Sequence, residues 1–134
     1  MKVFISYAHV DRFLAKKISS ELVKNGFDVW NDETEILPGD DFGEKISNAL
    51  NNSDAMVVLL TSESLDSKNV QWEIEYALGN KSYNKRLIPV LVGSDVPSAK
   101  IPWILQKLQM LRLTTTDQTK ELINQITEVL REAA

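Results

Sequence analysis

No cysteine occurs in the sequence, and His9 is its only histidine. Disulfide staples, thiolate zinc sites and histidine metal clusters are therefore excluded. So is a Ser-His-Asp triad, because no G-x-S-x-G elbow is present and His9 reads as a solvated loop residue. The five glycines are scattered and form neither a G-x-G-x-x-G nor a G-x-x-x-x-G-K-[ST] phosphate loop. Positive charge is also short: 15 Lys and Arg face 19 Asp and Glu, for a net charge of −4. The longest basic cluster, Lys81 to Arg86, is interrupted, so no nucleic-acid partner is expected. Asp32, Asp40 and Asp41 lack a third well-spaced oxygen ligand, so no metal is expected either. No apolar run approaches the roughly 18 residues of a membrane span, and no signal-like region leads the chain. These absences lead to the expectation of a cytoplasmic, soluble domain without membrane contact. With 43% hydrophobic and 25% charged residues, one core over residues 1–134 is expected.

What is present is alternation. Short apolar runs stand at Val3–Ile5, Phe27–Trp30, Ala55–Leu60, Leu87–Val92 and, more weakly, Leu108–Leu113. Continuous apolar strands of this kind belong to parallel sheets covered on both faces. Between them run helical stripes: Val10, Leu14, Ile18, Leu22; Phe42, Ile46, Ala49, Leu50; and Val70, Ile74, Ala77, Leu78. Gly26 and Gly79 read as stops. A last stripe, Leu122, Ile126, Val129 and Leu130, predicts a helix from about Thr116. The stretch from Gly93 to Gln106, with Pro97 and Pro102, is least regular and has room for one short helix. Five strands alternating with helices predict an α/β, flavodoxin-like three-layer sandwich: a five-stranded parallel sheet of order 2-1-3-4-5.

In such a sheet ligands bind beyond the carboxyl ends of the strands, where the strand order reverses. That point lies between strands 1 and 3. It places Ser6 to His9 and Thr61 to Ser64 around a crevice, with Asn31 to Asp40 bordering it. The last of these is long against the usual about 2–6 residues of a βα loop. It carries Ile36-Leu37 before a Pro38-Gly39 turn. Such apolar tips either touch a ligand or partner or fold back onto the body. Asp40 or Asp41 reads as a helix cap. On the third helix, at about 100° per residue, Glu73 falls at the border of the buried stripe, Glu75 towards solvent and Trp72 roughly opposite the stripe. A half-desolvated carboxylate at that rim is available to a ligand. Periodicity alone favours the plainer reading, an acid placed there to stabilise the helix N-terminus.

Three stretches taken together, "VFISYAHVD", "LPGDDFGEKISNALNNSDAMVVLLTSESL" and "NVQWEIEYALG", resemble the Toll/interleukin receptor (TIR) domain family, particularly its bacterial members. The similarity runs over essentially the whole chain. It implies the same flavodoxin-like fold and makes Asn31 to Asp40 the mobile loop used for self-association and for gating the pocket. The family's catalytic glutamate, followed by an aliphatic residue and by alanine four positions on, matches Glu73, Ile74 and Ala77. Ser6 and Tyr7 match the end of the first strand and Asp32 an acidic position after the second. The Trp-Cys pair that often begins four residues earlier is Asn69-Val70 here, which leaves Trp72 and Trp30 as candidates for the aromatic beside the nucleotide.

The resemblance implies cleavage of NAD at the nicotinamide–ribose bond, with NAD as substrate rather than cofactor. The product is linear or a cyclic ADP-ribose isomer, in antiviral defence or cell-death signalling. Glu73 would be the catalytic residue, with Ser6, Tyr7, Asp32, Leu37 and Trp72 around the substrate and hydroxyls of the 61–64 loop on phosphate or ribose. Partners would be NAD and other TIR domains through Asn31 to Asp40. Two alternatives stand beside it: a non-enzymatic adaptor assembling through TIR–TIR contacts, and a nucleoside or nucleotide base transferase on the same sheet.

Overall fold

The computed structural model describes residues 1–30, 38–83 and 85–133. Each apolar run becomes a strand: β1 Lys2–Ser6, β2 Asp28–Trp30, β3 Ala55–Leu60, β4 Leu87–Val92 and β5 Leu111–Leu113. They pair in parallel in the order β2-β1-β3-β4-β5, as expected. The register sets Ser6 beside Val58, Leu60 beside Leu91 and Leu91 beside Arg112. The helices are α1 Arg12–Lys24, α2 Phe42–Asn52, α3 Ser62–Leu65, α4 Lys68–Leu78, α5 Trp103–Gln106 and α6 Thr119–Glu132.

Alternation along the strands divides the interior into two cores. Val3, Ile5, Val57, Leu59, Ile88, Val90, Leu111 and Leu113 face α1 and α6, which bring Ile18, Leu22, Leu122 and Ile126. Phe4, Met56, Val58, Leu60 and Leu91 face the other way, towards Leu50 of α2, Val70, Ile74 and Ala77 of α4, and Leu105 of α5. All six β3 residues are buried, which explains a run without a single polar break.

The ends of the elements follow local chemistry. Asp41 caps α2 by accepting from the Glu44 N–H at 3.0 Å. Ser67 caps α4 through the Val70 N–H. Gly26, at φ +91°, ends α1 in a conformation a side chain would disfavour. Some expectations are corrected. Val10 is 60% exposed, because His9–Asp11 forms a 3₁₀ turn out of phase with the stripe of α1. Phe42 and Leu78, at opposite ends of their helices, are also exposed. A turn at Thr116–Gln118 delays α6 to Thr119. β5 is only three residues long, since the chain first turns back from α5 and packs Leu108 and Met110 on the second core. No described helix is long and apolar enough to cross a membrane.

Candidate active site

Strand alternation puts Ser6 on the same side of β1 as Phe4, facing α4, and buries it to 1% exposure. The α4 stripe of Val70, Ile74 and Ala77 is pressed into that core, leaving Glu73 half-buried at its rim. These two periodicities, 2 for the strand and 3.6 for the helix, aim both side chains at one place. The Ser6 Oγ donates to Glu73 Oε1 at 2.7 Å, across 67 residues of sequence. A hydrogen bond to a carboxylate contributes about 1.5–3 kcal/mol; here it also fixes which way the acid points. Glu73 thus sits at the tip of β1, beside the reversal of strand order between β1 and β3.

A second bond closes the rim. Thr61, just after β3, donates its hydroxyl to Asp11 Oδ2 at 2.7 Å, tying the turn after β1 to the loop after β3. Thr61 and Ser64 also form a reciprocal capping box at the start of α3, and Ser64 is fully buried. The hydroxyls of Thr61 and Ser64, expected to meet a ligand, are therefore engaged internally. Asp11 was not anticipated in this role. Its signal was positional: it and Thr61 lie just past the ends of neighbouring strands.

The remaining expected residues diverge. Tyr7 follows Val3 and Ile5 in the alternation and packs against the first core, on the other side of β1 from Glu73. There it lines a shallow recess with Arg12, Lys16, Ser19 and Trp30. Trp30 is a core residue, stacked on Phe4 with ring centroids 5.4 Å apart. Trp72 stands 62% exposed on the solvent face of α4, as its helical position dictated. Asp32 and Leu37 lie outside the described residues, as does most of the loop from Asn31 to Asp40. Of its described part, Gly39 adopts φ +91°, in keeping with a Pro-Gly turn, and Asp40 pairs with Lys45 at 3.8 Å. His9 is exposed. Among the described residues no group of three or more His, Cys, Asp or Glu could hold a metal ion.

Chemically, the carboxyl end of β1 offers an oriented, half-buried carboxylate beside a buried hydroxyl. Such a group stabilises positive charge that develops on a bound molecule and accepts hydrogen bonds from its hydroxyls. An oriented carboxylate of this kind suits reactions in which the leaving group departs unaided.

Comparison with known proteins gives this geometry a context. The family model described as TIR domain matches residues 3–127. A curated relative, the 2' cyclic ADP-D-ribose synthase BtTIR of Bacteroides thetaiotaomicron, is 27% identical over 86 residues, 63% of this chain. The chain spans only 30% of that relative's length. Among solved structures, a TIR-STING receptor from C. gigas in complex with 2',3'-cGAMP superposes with a TM-score of 0.75 at 27% identity. That superposition covers 92% of this chain and 38% of the receptor. The TIR domain of the Toll-related receptor TRR-2 from Hydra magnipapillata gives 0.73 at 20% identity, covering 95% of this chain and 96% of that one, a likeness of fold.

Proposed function

This chain belongs to the TIR domain family, and we propose that it cleaves NAD at the nicotinamide–ribose bond, with Glu73 as the catalytic residue. The observation that carries the reading is the 2.7 Å bond from Ser6, which holds the carboxylate at the carboxyl end of β1, beside the reversal of strand order that is the usual ligand position of this sheet type. The cyclic ADP-D-ribose synthase named among the relatives supports the substrate class.

The chemistry asks little of the protein. Nicotinamide is a cationic pyridinium while bonded to C1′ of the ribose. When the C–N bond breaks it leaves with the electron pair as a neutral molecule, so neither a general acid nor a metal is needed. Positive charge then develops on the ribose, and a carboxylate beside it lowers the barrier. Water attacking C1′ and losing a proton gives ADP-ribose; a hydroxyl of the same molecule attacking instead gives a cyclic isomer. Ser6 is a positioning residue in this scheme, holding the carboxylate rather than the substrate. Asp32, Leu37 and Trp72 remain candidates for contacts with the rest of the dinucleotide.

The test is incubation with NAD at high protein concentration and chromatography for free nicotinamide. Release by the wild type and a fall of about 10²–10³-fold in Glu73→Gln are expected. Equal release by both would sink the assignment.

Self-association belongs to the same proposal. Phe13, Trp72 and Trp103 are 73, 62 and 70% exposed, apolar area that suits contact with another copy. Specific activity should therefore rise with protein concentration. Turnover strictly proportional to enzyme over a wide range would count against assembly, and no turnover at any concentration would favour an adaptor that works through contacts alone.

A further inference from the structure

The segment between β4 and β5 leaves a cleft over the end of the sheet. Ile101 and Leu105 are pressed into the second core, but the chain around them does not cover β5. The resulting cavity, of about 380 Å³, is lined among others by Ile101, Met110, Ser94, Ser98, Gln106 and Arg112. That volume lies in the roughly 300–1,000 Å³ range of small-molecule sites.

Three features give the cleft a chemical preference. Arg112 is the middle residue of β5; Leu111 and Leu113 face the first core, so alternation sends Arg112 to the opposite face, over the cleft. Its guanidinium has no ion-pair partner among the described residues. Asp95 is the one carboxylate of residues 93–102, and its Oδ1 leans over Gly93. A charge on an edge strand also deters edge-to-edge pairing. That role alone needs no cavity beside the arginine. Second, Gln106 Nε2 donates to the carbonyls of Ser98 at 3.3 Å and Ile101 at 3.1 Å. Two acceptors on one side fix the amide's orientation and leave Oε1 to accept a hydrogen bond. Third, Ile101 and Met110 provide an apolar floor between these polar ends, with the exposed Ser94 and Ser98 at the rim.

One cation, an apolar floor, a lone amide acceptor and rim hydroxyls match one class of ligand. We propose that this cleft is a second ligand site, for a nucleoside 5′-monophosphate whose base carries an exocyclic amine. The phosphate sits on Arg112, the base lies over Ile101 and Met110 and gives its amine proton to Gln106 Oε1, and Ser94 and Ser98 meet the ribose. By sheet register Arg112 stands three strands and two residues from Ser6, about 16 Å between backbones. The site is therefore separate from the Glu73 crevice and does not depend on NAD cleavage.

The probe is adenosine 5′-monophosphate, titrated into the whole chain while backbone amide shifts are followed. Shifts at residues 93–96, 106 and 112–114 are expected, and Glu73→Gln should give the same shifts with the same affinity. Arg112→Ala, a change at an exposed residue that keeps its thermal transition, should weaken binding about tenfold, in keeping with loss of a charge-assisted hydrogen bond. Adenosine and inorganic phosphate, each offering half of the contacts, should bind more weakly by at least that factor. The proposal is overturned if the mononucleotide at millimolar concentration moves none of these amides, or moves only those around Ser6 and Glu73. Equal affinity in Arg112→Ala overturns it as well.

Discussion

The Ser6–Glu73 site at the tip of β1 and the cleft beside β5 lie at the same carboxyl end of the sheet, yet they are built in opposite ways. The former joins residues far apart in sequence: Ser6 with Glu73 across 67 positions and Asp11 with Thr61 across 50. Each partner sits in, or just beyond, a regular element held by a buried stripe. The cleft is walled largely by one continuous stretch, and its bonds are local, such as Gln106 to Ser98 and Ile101 or Thr114 to Gln118. The difference teaches where chemistry and where recognition belong. A reacting carboxylate must be held within fractions of an ångström, which two packed elements provide. A pocket formed by turns and prolines is easily reshaped, which suits binding.

The largest test of that contrast is Glu73→Gln. Nicotinamide release should fall about 10²–10³-fold, as when one preorganised electrostatic group is removed from an active site, while circular dichroism and the mononucleotide shifts at the cleft stay as they were. Were the variant to lose the cleft shifts too, the two regions would be one site and the comparison would fail. A smaller effect is expected of Ser6→Ala. Losing the hydroxyl frees the carboxylate to rotate, so kcat should drop about tenfold with KM little changed, the pattern of an interaction that matters only in the transition state. A purely structural serine would instead lower the melting temperature and leave turnover per folded molecule intact. Steady-state kinetics paired with a thermal melt separates the two.

The sequence disclosed the regular half of this molecule and little of the irregular half. β3 and β4 match their apolar runs residue for residue, because strands buried on both faces need no polar interruption. The rim position of Glu73 follows from helical period alone. Its bond to Ser6 does not, since it depends on how far α4 slides along the sheet, which only packing decides. Tyr7 could have been placed correctly: it continues the alternation of Val3 and Ile5, and so faces away from Ser6. The capping role of Thr61 and Ser64 was likewise legible as a hydroxyl followed three residues later by a second one at a helix start. Residues 93–110 carry no sustained period, so neither the cleft nor the short reach of β5 could be read. Asp32 and Leu37 lie outside the described residues.

The smallest effect falls on a residue at the other end of the second core, remote from both regions. Tyr83 is buried, and its hydroxyl donates to the carbonyl of Leu50, one of the last four of α2 and so without a partner inside the helix. Burial first, and the neighbouring Tyr76 second, push its phenol well above the ordinary value of 10. The fold thus keeps this proton at a pH where the unfolded chain releases it. Below pH 10 both states are protonated and the contribution is constant; as pH climbs past 10, unfolding releases a proton and stability falls. Tyr83→Phe removes both effects. At neutral pH it should cost about 1 kcal/mol, the worth of one hydrogen bond, and above pH 10 its stability should decline less steeply than that of the wild type. Urea unfolding across that range measures both slopes. Parallel curves would mean that the phenol is reached by water in the folded state, and that the second core is looser at its amino end than at the end where it holds Glu73.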